Sequence, residues 1–248
     1  MIKFFRKIRY DLMEKNKTGK YLKYAFGEII LVVFGILIAL SINNWNENRK
    51  DVQIQLQLLK ELKEMADGDY KRNQFHLERN KKYLNSIEII IHCFENGLPY
   101  NDSLADHFSY AHSRLVTQIK DNAYQNIVNH GMTFIKNDNI KFYMTNLYGN
   151  RNEFLEKLDD RFNLFYFQVV APELINYFDH LNPQGLGGRR KMIPLDYSTL
   201  SKSTKYMSIL RSTHAYLEGY IGWQEQTMIN GLNELSKSLD SEIDRIQK

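Results

Sequence analysis

The sequence predicts an all-α protein in which one N-terminal transmembrane helix continues into a long-helix exterior domain, an antiparallel helical bundle. Three observations lead to that fold. An apolar run extends from Ile29 to Ile42, apolar residues beyond it recur in steps of three, four or seven, and the 248 residues include only 4 prolines and 13 glycines. So few turn formers argue against an all-β chain and against disorder. Roughly 200 residues follow the apolar run, enough to bury one core. No sustained period-two alternation and no internal repeat competes with the helical pattern.

The formal net charge of +4 belongs to the tail. Residues 1–23 hold eight basic side chains (Lys3, Arg6, Lys7, Arg9, Lys15, Lys17, Lys20, Lys23) against Asp11 and Glu14, while the other 225 residues carry 25 basic and 27 acidic ones. A basic excess confined to one flank of an apolar segment describes membrane topology and argues against a nucleic-acid partner. Ile2, Phe5, Ile8 and Leu12 recur at helical spacing, so residues 2–14 are expected to lie on the inner leaflet. Each basic side chain near an anionic surface is worth about 1 kcal/mol there.

Fourteen residues, Ile29 to Ile42, are too few to span a bilayer. Extending the segment to Tyr24 and Trp45 gives 22 residues, or about 33 Å at about 1.5 Å per residue, which does span one. Tyr24 and Trp45 are then the interface anchors, and Glu28 lies near the cytoplasmic end. Ala39-Leu40-Ser41 is a passable signal-peptidase site, but the charged region before the apolar run is too long for a signal sequence. Eight basic residues before the helix, against Arg49, Lys50, Lys60 and Lys63 just after it, predict a cytoplasmic N-terminus. The expected domains are a basic amphipathic cytoplasmic tail (1–23), a transmembrane helix (24–45) and a periplasmic helical domain (46–248), with the inner membrane as location.

Within the exterior domain, Val52, Leu56, Leu59, Leu62, Ala66, Tyr70, Leu77, Leu84, Ile87, Ile91 and Phe94 predict a long amphipathic helix. Asn96-Gly97-Leu98-Pro99 should stop it, with Gly97 as a left-handed cap and Pro99 forbidding continuation. Asp102 or Ser103 can cap a second helix through about Ile119, and Asp121 a third that ends at Gly131. A fourth should start near Asn137 or Asp138 and carry Phe142, Leu147, Phe154, Leu158, Phe162, Phe165 and Val169 towards Pro172. After a glycine-rich loop at 182–188, Leu210, Leu217, Ile221, Met228, Leu232, Leu235, Leu239, Ile243 and Ile246 predict a last long helix, antiparallel to the first.

The string Gly27-Glu28-Ile29-Ile30-Leu31-Val32-Val33-Phe34-Gly35-Ile36-Leu37-Ile38-Ala39-Leu40, followed by Ser41-Ile42-Asn43-Asn44-Trp45-Asn46-Glu47, resembles the N-terminal signature of an uncharacterised membrane-protein family abundant in Bacteroidota. The opening Met1-Ile2-Lys3-Phe4-Phe5-Arg6-Lys7-Ile8-Arg9 resembles that family's start, and Phe134-Ile135-Lys136-Asn137 a weaker element further along. The likeness covers about the first 50 residues closely and is loose afterwards. It implies a membrane location and a helical exterior domain. Because the family is a domain of unknown function, the resemblance carries over no catalytic residue.

Candidate chemistry is sparse. Gly185-Leu186-Gly187-Gly188-Arg189-Arg190-Lys191 lacks a phosphate loop's preceding strand and its Lys-Ser/Thr ending, so Arg189, Arg190 and Lys191 form at most an anion-binding loop. Seven histidines include no pair at i, i+4 and no metalloprotease motif, so no metal or other cofactor is expected. Cys93, the sole cysteine, sits in an apolar run and reads as a buried thiol. Asp159 and Asp160 read as a solvated helix face, and Phe162, Phe165, Tyr166 and Phe167 as core packing, with Tyr166 or Phe167 open to a groove.

Inside the membrane segment Gly35, Ala39 and Asn43 share one helix face, which suits close helix association; Glu28 reads as an interfacial carboxylate or a partner contact. The expected partners are the lipid bilayer and either a second copy of the chain or another envelope membrane protein. The resulting expectation is a membrane-anchored, non-enzymatic scaffold, sensor or accessory module. The alternatives are a membrane-perturbing stress or defence effector and an envelope enzyme acting on cell-wall or lipid substrates.

Overall fold

The computed structural model describes residue 10 and residues 18–114, 116–179 and 191–248. The expected inner-leaflet helix at 2–14, apart from Tyr10, and the loop at 182–190 lie outside the described residues. Two compact units divide between Ile54 and Gln55. Among the described residues there is no strand, only a single bridge between Phe178 and Pro194.

Helix α1, Thr18–Glu95, contributes to both units. In the first unit every side chain from Ile29 to Trp45 is exposed, Leu31 at 69% and Phe34 at 60%. The apolar stretch reaches a mean hydropathy of 2.6 and is the one place among the described residues where a helix is long and apolar enough to cross a membrane. Leaving so many large apolar side chains in water would be costly, at about 25 cal/mol per Å².

The second unit, Gln55–Lys248, is an all-α bundle. Its part of α1 ends as expected: Gly97 takes φ +61°, its N–H donates to the Phe94 carbonyl at 3.2 Å, and the Leu98 N–H donates to the Cys93 carbonyl at 2.9 Å. These are the two bonds that close a helix through a left-handed residue. Helix α2 (Leu104–Ala111) is far shorter than expected, and the described residues from Ser113 to Ile119 are not helical. Helix α3 (Asn122–His130) follows and stops at Gly131, whose φ is +106°.

The expected fourth helix is one helical run with two π-helical interruptions. It consists of α4 (Asp138–Met144), a π turn at Thr145–Asn150, α5 (Arg151–Phe165), a second π turn at Tyr166–Val170 and α6 (Ala171–Leu174). Asn137 caps it by accepting from the Asn139 and Ile140 N–H groups. Each π turn closes i to i+5 and so rotates the following residues out of the 3.6 phase. From the first π turn onward Phe154 and Val169, expected inside, are accordingly exposed, while Tyr148, Leu155, Val170 and Leu174 join Leu147 and Phe162 in the core. Before it Ile140 and Met144, seven and three residues from Leu147, form the buried face and leave Phe142 exposed.

After α7 (Tyr197–Lys202), the last long helix consists of α8 (Thr204–Trp223), a π turn at Gln224–Ile229 and α9 (Asn230–Gln247). It runs antiparallel to α1. Arg211 meets Glu95 at 2.8 Å, Glu225 meets Lys81 at 2.6 Å, Ser236 meets Asp67 at 2.7 Å and Asp240 meets Lys63 at 3.3 Å, so numbers rise on one helix as they fall on the other.

Candidate functional site

The apolar core of the bundle is not continuous. One cluster gathers Leu77, Ile87, Ile90, Phe94, Phe108, Leu210 and Leu217 with their neighbours. Leu59, Leu62, Ala66, Ile140, Leu147, Leu232, Leu235 and Leu239 are as deeply buried but lie outside it. Between Ala66 and Leu77 α1 presents Asp69 and Asn73, and within the first cluster's span it presents Asn80, all at 0% exposure.

These polar residues sit in the helix's own core stripe. Leu59, Leu62, Ala66, Asp69, Asn73, His76, Asn80, Tyr83, Ile87, Ile90 and Phe94 follow one another in alternating steps of three and four, the spacing that keeps side chains on one seam. A polar residue at such a position must find partners or bear a desolvation cost of about 1–3 kcal/mol. For Asp69, Asn73 and His76 the partners are the backbone of residues 116–120, after α2. Both Asp69 carboxylate oxygens accept the Lys120 N–H, at 3.0 and 3.3 Å. Asn73 Oδ1 accepts the Gln118 N–H at 3.1 Å, and its Nδ2 donates to the Gln118 carbonyl at 2.8 Å. His76 Nδ1 lies 2.6 Å from the Val116 carbonyl, which requires the proton to be on Nδ1.

Alternate residues 116, 118 and 120 bond to α1, the pattern of an extended chain laid along a helix. Positions 69, 73 and 76 climb about 10 Å of helix at about 1.5 Å per residue, and residues 120, 118 and 116 cover a similar length at about 3.3 Å per residue. From the opposite side Tyr220 accepts the Thr117 N–H at 2.5 Å and donates to Thr117 Oγ1 at 2.9 Å. Gln224, at the start of the last π turn and 0% exposed, donates to the Asn73 carbonyl at 3.3 Å and accepts from Asn80 at 3.4 Å.

Charge within this belt is paired. Asp69 forms an ion pair with Arg72, yet burial, the larger effect, still raises its carboxyl pKa above the ordinary value. Burial, helped by the Asp69 carboxylate, pushes the Tyr148 phenol strongly up. His76 is lowered, first by burial and then by Arg72. Arg114, with a side chain 4% exposed, donates to Asp159 at 2.7 Å and lies over the Phe162 ring at 4.1 Å. Asp159 is therefore no part of a solvated face, because the buried guanidinium draws it in. Asp160 is exposed as expected. These groups are occupied in holding backbone and one another, so the belt's chemistry is that of register between α1, the extended segment and the last helix.

The sites expected from the sequence are elsewhere. Gly35, Ala39 and Asn43 lie on exposed α1; a Cβ added at Gly35 would meet nothing within 4 Å, and Asn43 Nδ2 donates to Glu47 at 3.0 Å. Glu28 is half-buried, Trp45 is 65% exposed and Tyr24 lies in the same helix. Arg189 and Arg190 fall outside the described residues, while Lys191 is exposed and 3.9 Å from Asp106. Cys93 is buried, which raises its thiol pKa. Phe162 is buried and Phe167 is 68% exposed.

Of the stripe residues expected on this stretch Leu77 is buried, whereas Tyr70 is only half-buried and Asp69 and Asn73 take the deepest positions beside it. The available signal was a polar run in strict phase with the apolar seam. No curated protein and no solved structure matches the chain. Residues 28–94, from the membrane-type stretch through the belt to the end of the seam, match a family described as a family of unknown function (DUF6090).

Proposed function

We propose that this chain is a membrane-anchored, non-enzymatic helical module of the cell envelope, which binds or scaffolds a partner, or senses one, outside the inner membrane. The observation that carries the reading is the contrast between the two units. Residues 29–45 expose every side chain, as a segment solvated by lipid would, whereas Gln55–Lys248 closes around a core of its own. The basic excess in residues 1–23 supports a cytoplasmic N-terminus and a periplasmic second unit. Tyr24 and Trp45 serve as interface anchors, and the Gly35, Ala39, Asn43 face as the contact with a second copy or another envelope membrane protein.

Topology is tested by fusing a reporter active only in the periplasm at Lys20 or at Lys248. Activity is expected at Lys248 alone, and equal activity at both positions overturns the single-pass arrangement. Association through the membrane face is tested by crosslinking in native membranes, where Gly35→Leu should abolish an adduct that the wild-type chain forms.

A further inference from the structure

A groove of about 360 Å³ lies between α1 and α2, lined mainly by Phe75, Arg79, Lys82, Tyr83, His107 and Tyr110. That volume is at the small end of the range for small-molecule sites, about 300–1,000 Å³. Its walls are aromatic: Tyr83 and Tyr110 stack at 5.6 Å, and Phe75 is 57% exposed. Its charge is cationic and unspent. Lys63, Arg72 and Lys81 on the same helix each pair with a carboxylate, but among the described residues Arg79 and Lys82 pair with none. Glu78, the groove's one acid, lies 3.7 Å from Lys81.

The hydrogen bonds leave particular edges open. Arg79 Nε and Nη2 both donate to the Tyr83 hydroxyl, at 3.3 and 3.2 Å, and the guanidinium lies 5.5 Å from the Phe75 ring centre. The end-on edge, Nη1 with the outer proton of Nη2, remains for a two-pronged acceptor such as a carboxylate. Ser86 gives its only proton to the Lys82 carbonyl at 3.0 Å, so His107 Nδ1, 3.1 Å from that hydroxyl, must be the donor. The imidazole is thereby held in place as one wall.

We propose that this groove binds a small aryl carboxylate, its ring against Phe75 and Tyr110 and its carboxylate on the open edge of Arg79 and on Lys82. The test uses the full chain in nanodiscs of zwitterionic lipid, titrated with benzoate and with benzamide as the uncharged match, followed by saturation-transfer NMR. Benzoate should bind saturably with Kd on the order of 1 mM or tighter, and benzamide about 10-fold more weakly or not at all. Arg79→Gln should weaken benzoate by about 10-fold or more and Lys82→Gln by about 3-fold or more, while Lys71→Gln, also on α1, leaves it unchanged. Lys82 is exposed, so its variant decides the matter even if Arg79→Gln fails to fold. Non-saturable binding, equal binding of benzamide, or wild-type affinity in Lys82→Gln overturns the proposal.

Discussion

Asn73, a side chain on a helix, pairs with Gln118 as one strand residue pairs with another, accepting its N–H at 3.1 Å and donating to its carbonyl at 2.8 Å. A third bond, from Nδ2 to the Asp69 carbonyl at 2.9 Å, holds the amide in place.

Asn73→Ala should therefore cost about 2 kcal/mol, since it leaves the partner's backbone groups without their bonds. Asn73→Asp should cost more, because it buries a carboxylate facing the Gln118 carbonyl beside Asp69. Guanidinium unfolding of the detergent-solubilised chain measures both, and a neutral Asn73→Ala would show that the belt does not hold the extended segment.

The Arg114 and Asp159 pair should behave asymmetrically. Asp159→Ala strands a nearly buried guanidinium and is expected to cost about 3–5 kcal/mol, whereas the double change Arg114→Met with Asp159→Leu should recover most of that loss. A double-mutant cycle on unfolding free energies reads the coupling, and additivity of the single changes would contradict it.

His112 supplies a pH signature. It is 5% exposed, its Nε2 lies 3.0 Å from the Tyr206 hydroxyl, and burial lowers its pKa to about 4. The folded state thus binds fewer protons than the unfolded state between about pH 6.5 and 4, so this contribution to stability is present at neutral pH and is lost as pH falls through that window. A shift of that size corresponds to about 3 kcal/mol. His76, also lowered, acts in the same direction. The difference in unfolding free energy between wild type and His112→Gln, followed from pH 7 to pH 4, should shrink as the pH drops; a constant difference would rule out a neutral buried imidazole.

Cys93 is buried, with a thiol pKa raised by desolvation. Maleimide should label it slowly in the folded chain and at least about 100-fold faster in denaturant, because the thiolate is the nucleophile and both its formation and its access are suppressed. Equal rates in the two states would place the thiol at the surface.

Local signals in the sequence carried much of the fold. The glycine stop at Gly97, the Asn137 cap, the end of α3 at Gly131 and the seam from Leu210 to Leu239 lie where composition and spacing put them. The end of α2 and the phase of the run from Asp138 to Leu174 do not. α2 gives way because backbone partners from α1 and Tyr220, 40 or more residues away in sequence, compete with its own helical bonds. The π turns move the buried face because an extra residue per turn is invisible to a 3.6-residue period.

By itself the sequence determined that the chain is helical, where α1 and α3 stop and the run capped by Asn137 starts, and which stretch is apolar enough to cross a membrane. Each of these follows from the residues of one segment and their spacing. Tertiary structure alone decided that Asp69, Asn73, Asn80, Arg114 and Gln224 form a buried polar belt within the bundle, and that Asp159 turns inward to meet Arg114. A polar side chain can stay in a core only when its partners arrive from other parts of the chain, and one helix's periodicity holds no record of them.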